Sequence, residues 1–395
     1  MISKEMNKNL SINGGIREAF NEARRQKALY GDENVYDLSI GNPSAPAPGK
    51  VTEVLKDFCG KKELDHQYMC ESGYEEVREK IADHLNQKYN TGYGINNIIM
   101  TNGVAGGINI VLRALLDPGD EVIIFRPYYP AYKGFVGNWQ GKIVEVNSKE
   151  DFQPDFEDLE HKITIRTKVV IVNSPHNPTG VIYTKETATK ISEILKSKQK
   201  EYGHAICLLS DEPYRDLVYI EEDLPWWPDF YQNTIVSYSF SKSLSLAGER
   251  IGYLTIPTEV EDSENVIKAV RLAMGGLGFV NAPALFQRIV GECIDEQVDL
   301  EYYAKNREIL YGTLKQCGYE CIEPKGAFYI FVKAPDNNEE RFLEFARKRH
   351  LIFVGGSSFG YKGYVRLSFC CKYEVLQRAT DALKQLADDC RLTAS

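Results

Sequence analysis

The chain has 395 residues, of which 43% are hydrophobic and 26% charged, a globular composition too long for one ordinary core, so two domains are expected. Its net charge of −9 excludes the basic surface on which nucleic-acid affinity rests. The polar opening "MISKEMNKNL" has no apolar run after it, so neither a membrane span nor a secretory leader is expected; nine scattered cysteines suit reduced thiols and a cytoplasmic location.

In chain order, "GIREAFNEARRQKALYG" reads as a helix stopped by Gly31, followed by an extended "VYDLSIGNPSAPAP" whose prolines forbid regular structure beyond Ser39. From about residue 50 to 280 the pattern alternates. "NIIM" is a short strand that turns into an apolar-faced helix, "VAGGINIVLRALLDPGD", which Pro118-Gly119 ends. "EVIIF", "KVVIVN", "AICLLSD" and "TIVSYSFSK" are continuous apolar runs rich in Val and Ile, as strands covered on both faces are. Helical segments such as "TKETATKISEILKSKQKEYG" separate them, which predicts an α/β fold with a mostly parallel sheet sandwiched by helices. The last hundred residues change character: a helical tract over roughly 284–317, three strand-like runs ("GAFYIFVK", "LIFVGGSSFG", "YVRLSF") and a closing helix predict a smaller α+β domain. The expected division is 46–300 for the large domain, with 1–45 and 301–395 forming the small one.

Ligands of parallel α/β sheets gather beyond the carboxyl ends of the strands. Gly103, Val104 and Ala105 stand there at a helix start, Asn177 in "NSPHNPTG", Asp211 and Tyr214 in "SDEPY", and Ser239, Lys242 and Arg250 in "SFSKSLSLAGERIGY". A lysine at a buried strand end loses hydration, so its neutral, nucleophilic amine becomes accessible to an aldehyde such as pyridoxal 5'-phosphate (PLP). A buried carboxylate keeps a pyridine nitrogen protonated, and Asp211 suits that place. Asn177 and Tyr214 suit a phenolate; a helix N-terminus and Arg250 suit a phosphate. Taken singly each residue has a plainer explanation, as a turn, a cap or a surface charge. Ser239-x-x-Lys242 also fits a serine β-lactamase pattern, but its companion motifs are missing. No cysteine–histidine cluster completes a metal site, and no G-x-G-x-x-G marks a dinucleotide turn.

The order and placement of "NSPHNPTG", "SDEPY" and "SFSKSLSLAGERIGY" resemble the class I/II aminotransferases, the aspartate-aminotransferase-like fold-type I PLP enzymes, from "IGNPSAPAP" to "VRLSF". The resemblance implies that Lys242 forms the Schiff base with PLP and shuttles the substrate proton. It implies that Asp211 pairs with the ring nitrogen and that Asn177 and Tyr214 contact the phenolate. Ser239, Arg250 and the backbone at Gly103, Val104 and Ala105 are the implied phosphate ligands. Tyr129, better aligned than Tyr128, is implied to stack on the ring; Tyr68 resembles the tyrosine that reaches the neighbouring subunit's phosphate, which implies a homodimer with shared sites. Arg366 in "YVRLSF" matches the grip on the substrate α-carboxylate, with Gly41 and Asn177 beside it. The pattern departs from familiar members at Val104 and Ala105, which lack a hydroxyl, and at Asn42, where many carry an acid. No second arginine matches the one that grips a side-chain carboxylate, and Arg17 and "MGGLGFVNAP" are open candidates for the pocket border. The implied activity is transfer of an amino group from an L-amino acid to a 2-oxo acid by a ping-pong mechanism. A C–S β-lyase of the same fold uses the same motifs, and a PLP-binding regulator without turnover is a more distant alternative.

Overall fold

The computed structural model describes residues 1–4, 6, 7, 14–61 and 66–392, apart from the side chains of 391 and 392. Its centre is a seven-stranded sheet built from β2 (Ile98–Thr101), β3 (Glu121–Phe125), β4 (Lys142–Val146), β5 (Thr167–Asn173), β6 (Cys207–Glu212), β7 (Thr234–Ser239) and β8 (Gly252–Thr255). The strand order is β2-β8-β7-β6-β5-β3-β4. Only β8 runs antiparallel to its neighbours, β2 and β7. The Val- and Ile-rich strands are buried on both faces, β2, β3 and β7 at every position. Each such side chain removed from water stabilises the fold by about 1.5–3 kcal/mol.

Helices cover both faces. The helix Lys185–Tyr202 starts where the Thr184 hydroxyl accepts from the Thr187 N–H and stops at Gly203, whose φ of 72° closes the last turn. The helix Gly103–Leu115 lies across the sheet directly after β2. A smaller three-stranded antiparallel sheet orders β11 (Val354–Gly355), β12 (Tyr364–Ser368) and β9 (Tyr329–Lys333). The amino-terminal segment joins this half: β1 (Tyr36–Asp37) pairs in parallel with β10 (Leu351–Ile352), and Leu38 packs in one core with Phe328, Val365 and Leu383.

Two expectations need correction. The helical tract over 284–317 is two helices, Ala284–Glu292 and Leu300–Gln316. Between them the Val298 N–H donates to the Ser243 carbonyl, which takes it out of any helical ladder, and the Asp299 carboxylate caps the second helix at Glu301. The run "TIVSYSFSK" is not a strand throughout: β7 ends at Ser239, and Lys242 rides on a single helical turn, Phe240–Ser243. The Ser239 hydroxyl accepts from the Ser241 N–H and so caps that turn.

Candidate active site

Beyond the carboxyl ends of β2, β5, β6 and β7 lies a cavity of about 260 Å³. Gly41, Val104, Ala105, Tyr129, Asn177, Asp211, Tyr214, Ser239, Lys242, Arg250 and Arg366, all expected from the sequence, line it together. Gly103 stands at its edge. With φ at 72°, Gly103 sits in the left-handed region, and a Cβ there would come 2.8 Å from an Arg250 Nη atom. Tyr68 does not line the cavity; its side chain is 90% exposed. Neither Arg17 nor residues 274–283 line it either.

Lys242 reaches into the cavity and its Nζ donates to the Gly41 carbonyl at 2.7 Å. Burial pushes the amine down to about 8, opposed by the nearby Cys370 thiol and helped by the charges of Arg250 and Arg366. Gly41 is required where it stands, because an added Cβ would overlap the Tyr329 hydroxyl.

Asp211 is only 3% exposed. Its Oδ2 accepts a hydrogen bond from the Tyr132 hydroxyl, while Oδ1 is buried and has no partner. Desolvation raises its carboxyl to about 7, against the Tyr132 hydrogen bond and with the help of neighbouring Glu212. An orphaned buried oxygen of this kind costs about 1–3 kcal/mol unless a donor arrives. A protonated ring nitrogen is such a donor.

Arg366, 2% exposed, donates from one Nη to Asn177 Oδ1 at 3.0 Å and from the other to the Ser39 carbonyl at 2.6 Å. Its Nε is buried without a partner, an N–H left for an incoming carboxylate. The guanidinium lies over the Tyr329 ring, 4.4 Å from its centre. Asn177 is held in turn by Asn173, whose side chain accepts from the Asn177 N–H and donates to the Asp211 carbonyl. Tyr214 shares a 3.0 Å hydrogen bond with Tyr329, and burial lifts its phenol well above the ordinary range.

The far end of the cavity suits an anion. The helix Gly103–Leu115 has no side-chain cap, so its first N–H groups stay open. Arg250 reaches the same place with φ at 54°, steadied by hydrogen bonds from its guanidinium to the carbonyls of Ala247 and Asn102 and to Ser241 Oγ. Ser239 and Ser241 complete the corner, their hydroxyls 2.8 Å apart. These donors, Asp211 Oδ1 and the Lys242 amine match a phosphate, a ring nitrogen and an aldehyde respectively. The residues present fit PLP.

Sequence reasoning missed Tyr132, Tyr329, Asn173 and Ser241. Tyr132 stands in the same "RPYYPAY" as Tyr129, one helical turn on, and Asn173 opens "NSPHNPTG", so the signal lay inside motifs already singled out. Tyr329 sits in "GAFYIFVK", where nothing but its fold position sets it apart from core aromatics.

The family model "Aminotransferase class I and II" matches residues 33–383. Aspartate aminotransferase of Thermotoga maritima is 31% identical over 93% of this chain and 94% of its own. A probable N-acetyl-LL-diaminopimelate aminotransferase of Bacillus subtilis is 30% identical over 89% of each. Among solved structures, an amino transferase from Eubacterium rectale superposes with a TM-score of 0.95 at 40% identity, covering 98% of this chain and 99% of that one.

Proposed function

The chain belongs to the class I and II aminotransferase family and is an aminotransferase, and from that premise we propose that it binds PLP in the cavity beside Lys242 and works by a ping-pong exchange. The observation that carries this reading is the set of groups that meet around one cavity: the buried Lys242 amine, the unpartnered Asp211 Oδ1 and the unpartnered Arg366 Nε.

PLP, when bound, supplies an aldehyde for the amino group and an electron-withdrawing ring that eases loss of the proton on the substrate Cα. Everything else falls to the protein. Lys242 holds the aldehyde carbon, while Asp211 faces the ring nitrogen and favours its protonated form. Asn177 and Tyr214 face the phenolate, and Tyr129 covers the ring. Ser239, Arg250 and the first N–H groups at Gly103, Val104 and Ala105 hold the phosphate. Arg366 grips the substrate α-carboxylate bidentately, with Asn177 and the Gly41 backbone as its neighbours, and so turns the Cα–H toward Lys242. The substrate amino group would take the aldehyde carbon from Lys242, and the freed Nζ would then accept the Cα proton. An amine at about 8 leaves roughly a tenth of its population neutral at pH 7, against less than about a thousandth for an ordinary lysine. Water would release the carbon skeleton as a 2-oxo acid, leaving the amino group on the cofactor for a second 2-oxo acid.

The same reading assigns residues 46–300 to a large unit and 1–45 with 301–395 to a small one, supported by the pairing of β1 with β10. It assigns a homodimer in which the exposed Tyr68 reaches the phosphate of the other copy. None of the nine cysteines is in a disulfide, which supports a cytoplasmic place. No helix of the described residues is long and apolar enough to cross a membrane. The test is a panel of L-amino acids added singly to the PLP-loaded protein. The reading expects stoichiometric 2-oxo acid from one class of donor, and turnover only when a second 2-oxo acid is supplied. Ammonia and pyruvate released from cystathionine with no acceptor present would replace it with a C–S lyase.

A further inference from the structure

Strands β6 and β7 line two cavities, one on each face of the sheet. Side chains alternate along a strand, so Asp211 and Ser239 face the active cavity while Glu212 and Tyr238, paired in register, face the other way. There they border a second cavity of about 90 Å³ with Lys88, Arg215 and Asp216. Two ion pairs stand in its lining, Glu212 with Arg215 at 2.9 Å and Asp216 with Lys88 at 3.1 Å.

One chain of hydrogen bonds leads from this cavity to the turn that carries the catalytic amine. The Tyr238 hydroxyl lies 2.5 Å from Asp216 Oδ2 and 2.8 Å from Ser243 Oγ. The phenol is the donor toward both, its single hydrogen shared between the Asp216 carboxylate and the Ser243 hydroxyl. Ser243 follows Lys242 and closes the turn Phe240–Ser243. Its carbonyl is fixed from the other side by the Val298 N–H at 2.7 Å. The Tyr238 ring itself is clamped, edge-on to Phe240 and 4.9 Å from Tyr253. A turn of four residues has little stiffness of its own, so these outside anchors decide where Lys242 points.

The geometry points to Tyr238 as a positioning residue: from the opposite face of the sheet, through Ser243 and Asp216, it holds the turn that aims Lys242 into the active cavity. This rests on the reading of Lys242 as the reactive amine, but it is tested without turnover. The full chain, freed of PLP, is pulsed with acetic anhydride across a pH series, and the acetylated fraction of Lys242 is read by peptide mass spectrometry. Lys268, an exposed lysine, is the internal reference. Tyr238→Phe keeps the ring and removes the bridge; Ser243→Ala removes the other end of the same bond. Arg250, Arg366 and Cys370, the groups that face Lys242, are unchanged in both.

A loosened turn lets water reach the amine, so its half-labelling pH is expected to rise by about half a unit or more in either variant. The double variant should shift no further than either single one, because both cut one bond. Coincident Lys242 titrations in the parent and in Ser243→Ala would overturn the proposal, as would additive shifts in the double variant. Those results leave the assignment of Lys242 itself standing, whereas loss of PLP binding to Lys242 in the parent would strike that assignment instead.

Discussion

Asp211 carries the site's clearest conflict between stability and function. Its carboxyl is raised to about 7 in the fold, above its unfolded value of 3.8. Between these values the folded state binds more protons than the unfolded one, so stability falls as pH rises and is flat above 7. In the PLP-free protein, Asp211→Asn is therefore expected to be more stable than the parent, by on the order of 1–3 kcal/mol at pH 8, with the gain vanishing toward pH 4. Urea melts at several pH values measure this; an Asn variant that is less stable at pH 8 would contradict the buried-charge account. Tyr132→Phe removes the hydrogen bond that Tyr132 gives to Asp211 Oδ2, and with it part of what keeps the carboxylate charged. PLP affinity, read by fluorescence titration, should weaken about tenfold for a charged hydrogen bond of about 1.5 kcal/mol. Arg366→Lys loses the planar fork that spans Asn177, Ser39 and the carboxylate, so kcat/KM for the amino donor should fall by about 100-fold, led by KM.

At the scale of elements, the centre of the sheet and the candidate site were legible in the sequence because β3, β5, β6 and β7 carry apolar runs that end in turns rich in polar residues, whereas the edge strand β4, KIVEV, was missed because its charges break the run. Lys242 was legible as a candidate amine and misplaced as structure. Its run alternates like a strand, but Ser239 has a hydroxyl that caps the next turn, and that local bond wins over the alternation. The break between residues 292 and 300 was hidden for another reason: the bond from Val298 to Ser243 joins segments more than fifty residues apart, which no local pattern encodes. Tyr132 was hidden because an aromatic next to an apolar face reads as core until its hydroxyl finds Asp211. The anion corner depends on one backbone position. Gly103→Ala would strain a residue at φ 72° and push against Arg250, so phosphate-dependent retention of PLP should drop about tenfold or more, for a cost of about 1–2 kcal/mol. Unchanged retention after dialysis would show that Arg250 does not need that close approach.

For the whole molecule, the two sheets divide the work. The seven-stranded sheet presents Lys242, Asp211 and the anion corner, while the smaller sheet brings Arg366 on β12 and Tyr329 on β9 to the same cavity. In the proposed reading cofactor and substrate carboxylate are held from opposite sides, and the amino-terminal segment, through Ser39 and Gly41, ties the two groups of residues together. The account's central claim is that Lys242 is the amine to which PLP is attached. Borohydride reduction of the PLP-loaded protein, followed by peptide mapping, tests it most directly. The account predicts a pyridoxyl group on the peptide that contains Lys242 and none after Lys242→Ala. A pyridoxyl group on another lysine of the parent protein, or an undiminished one in Lys242→Ala, would contradict it.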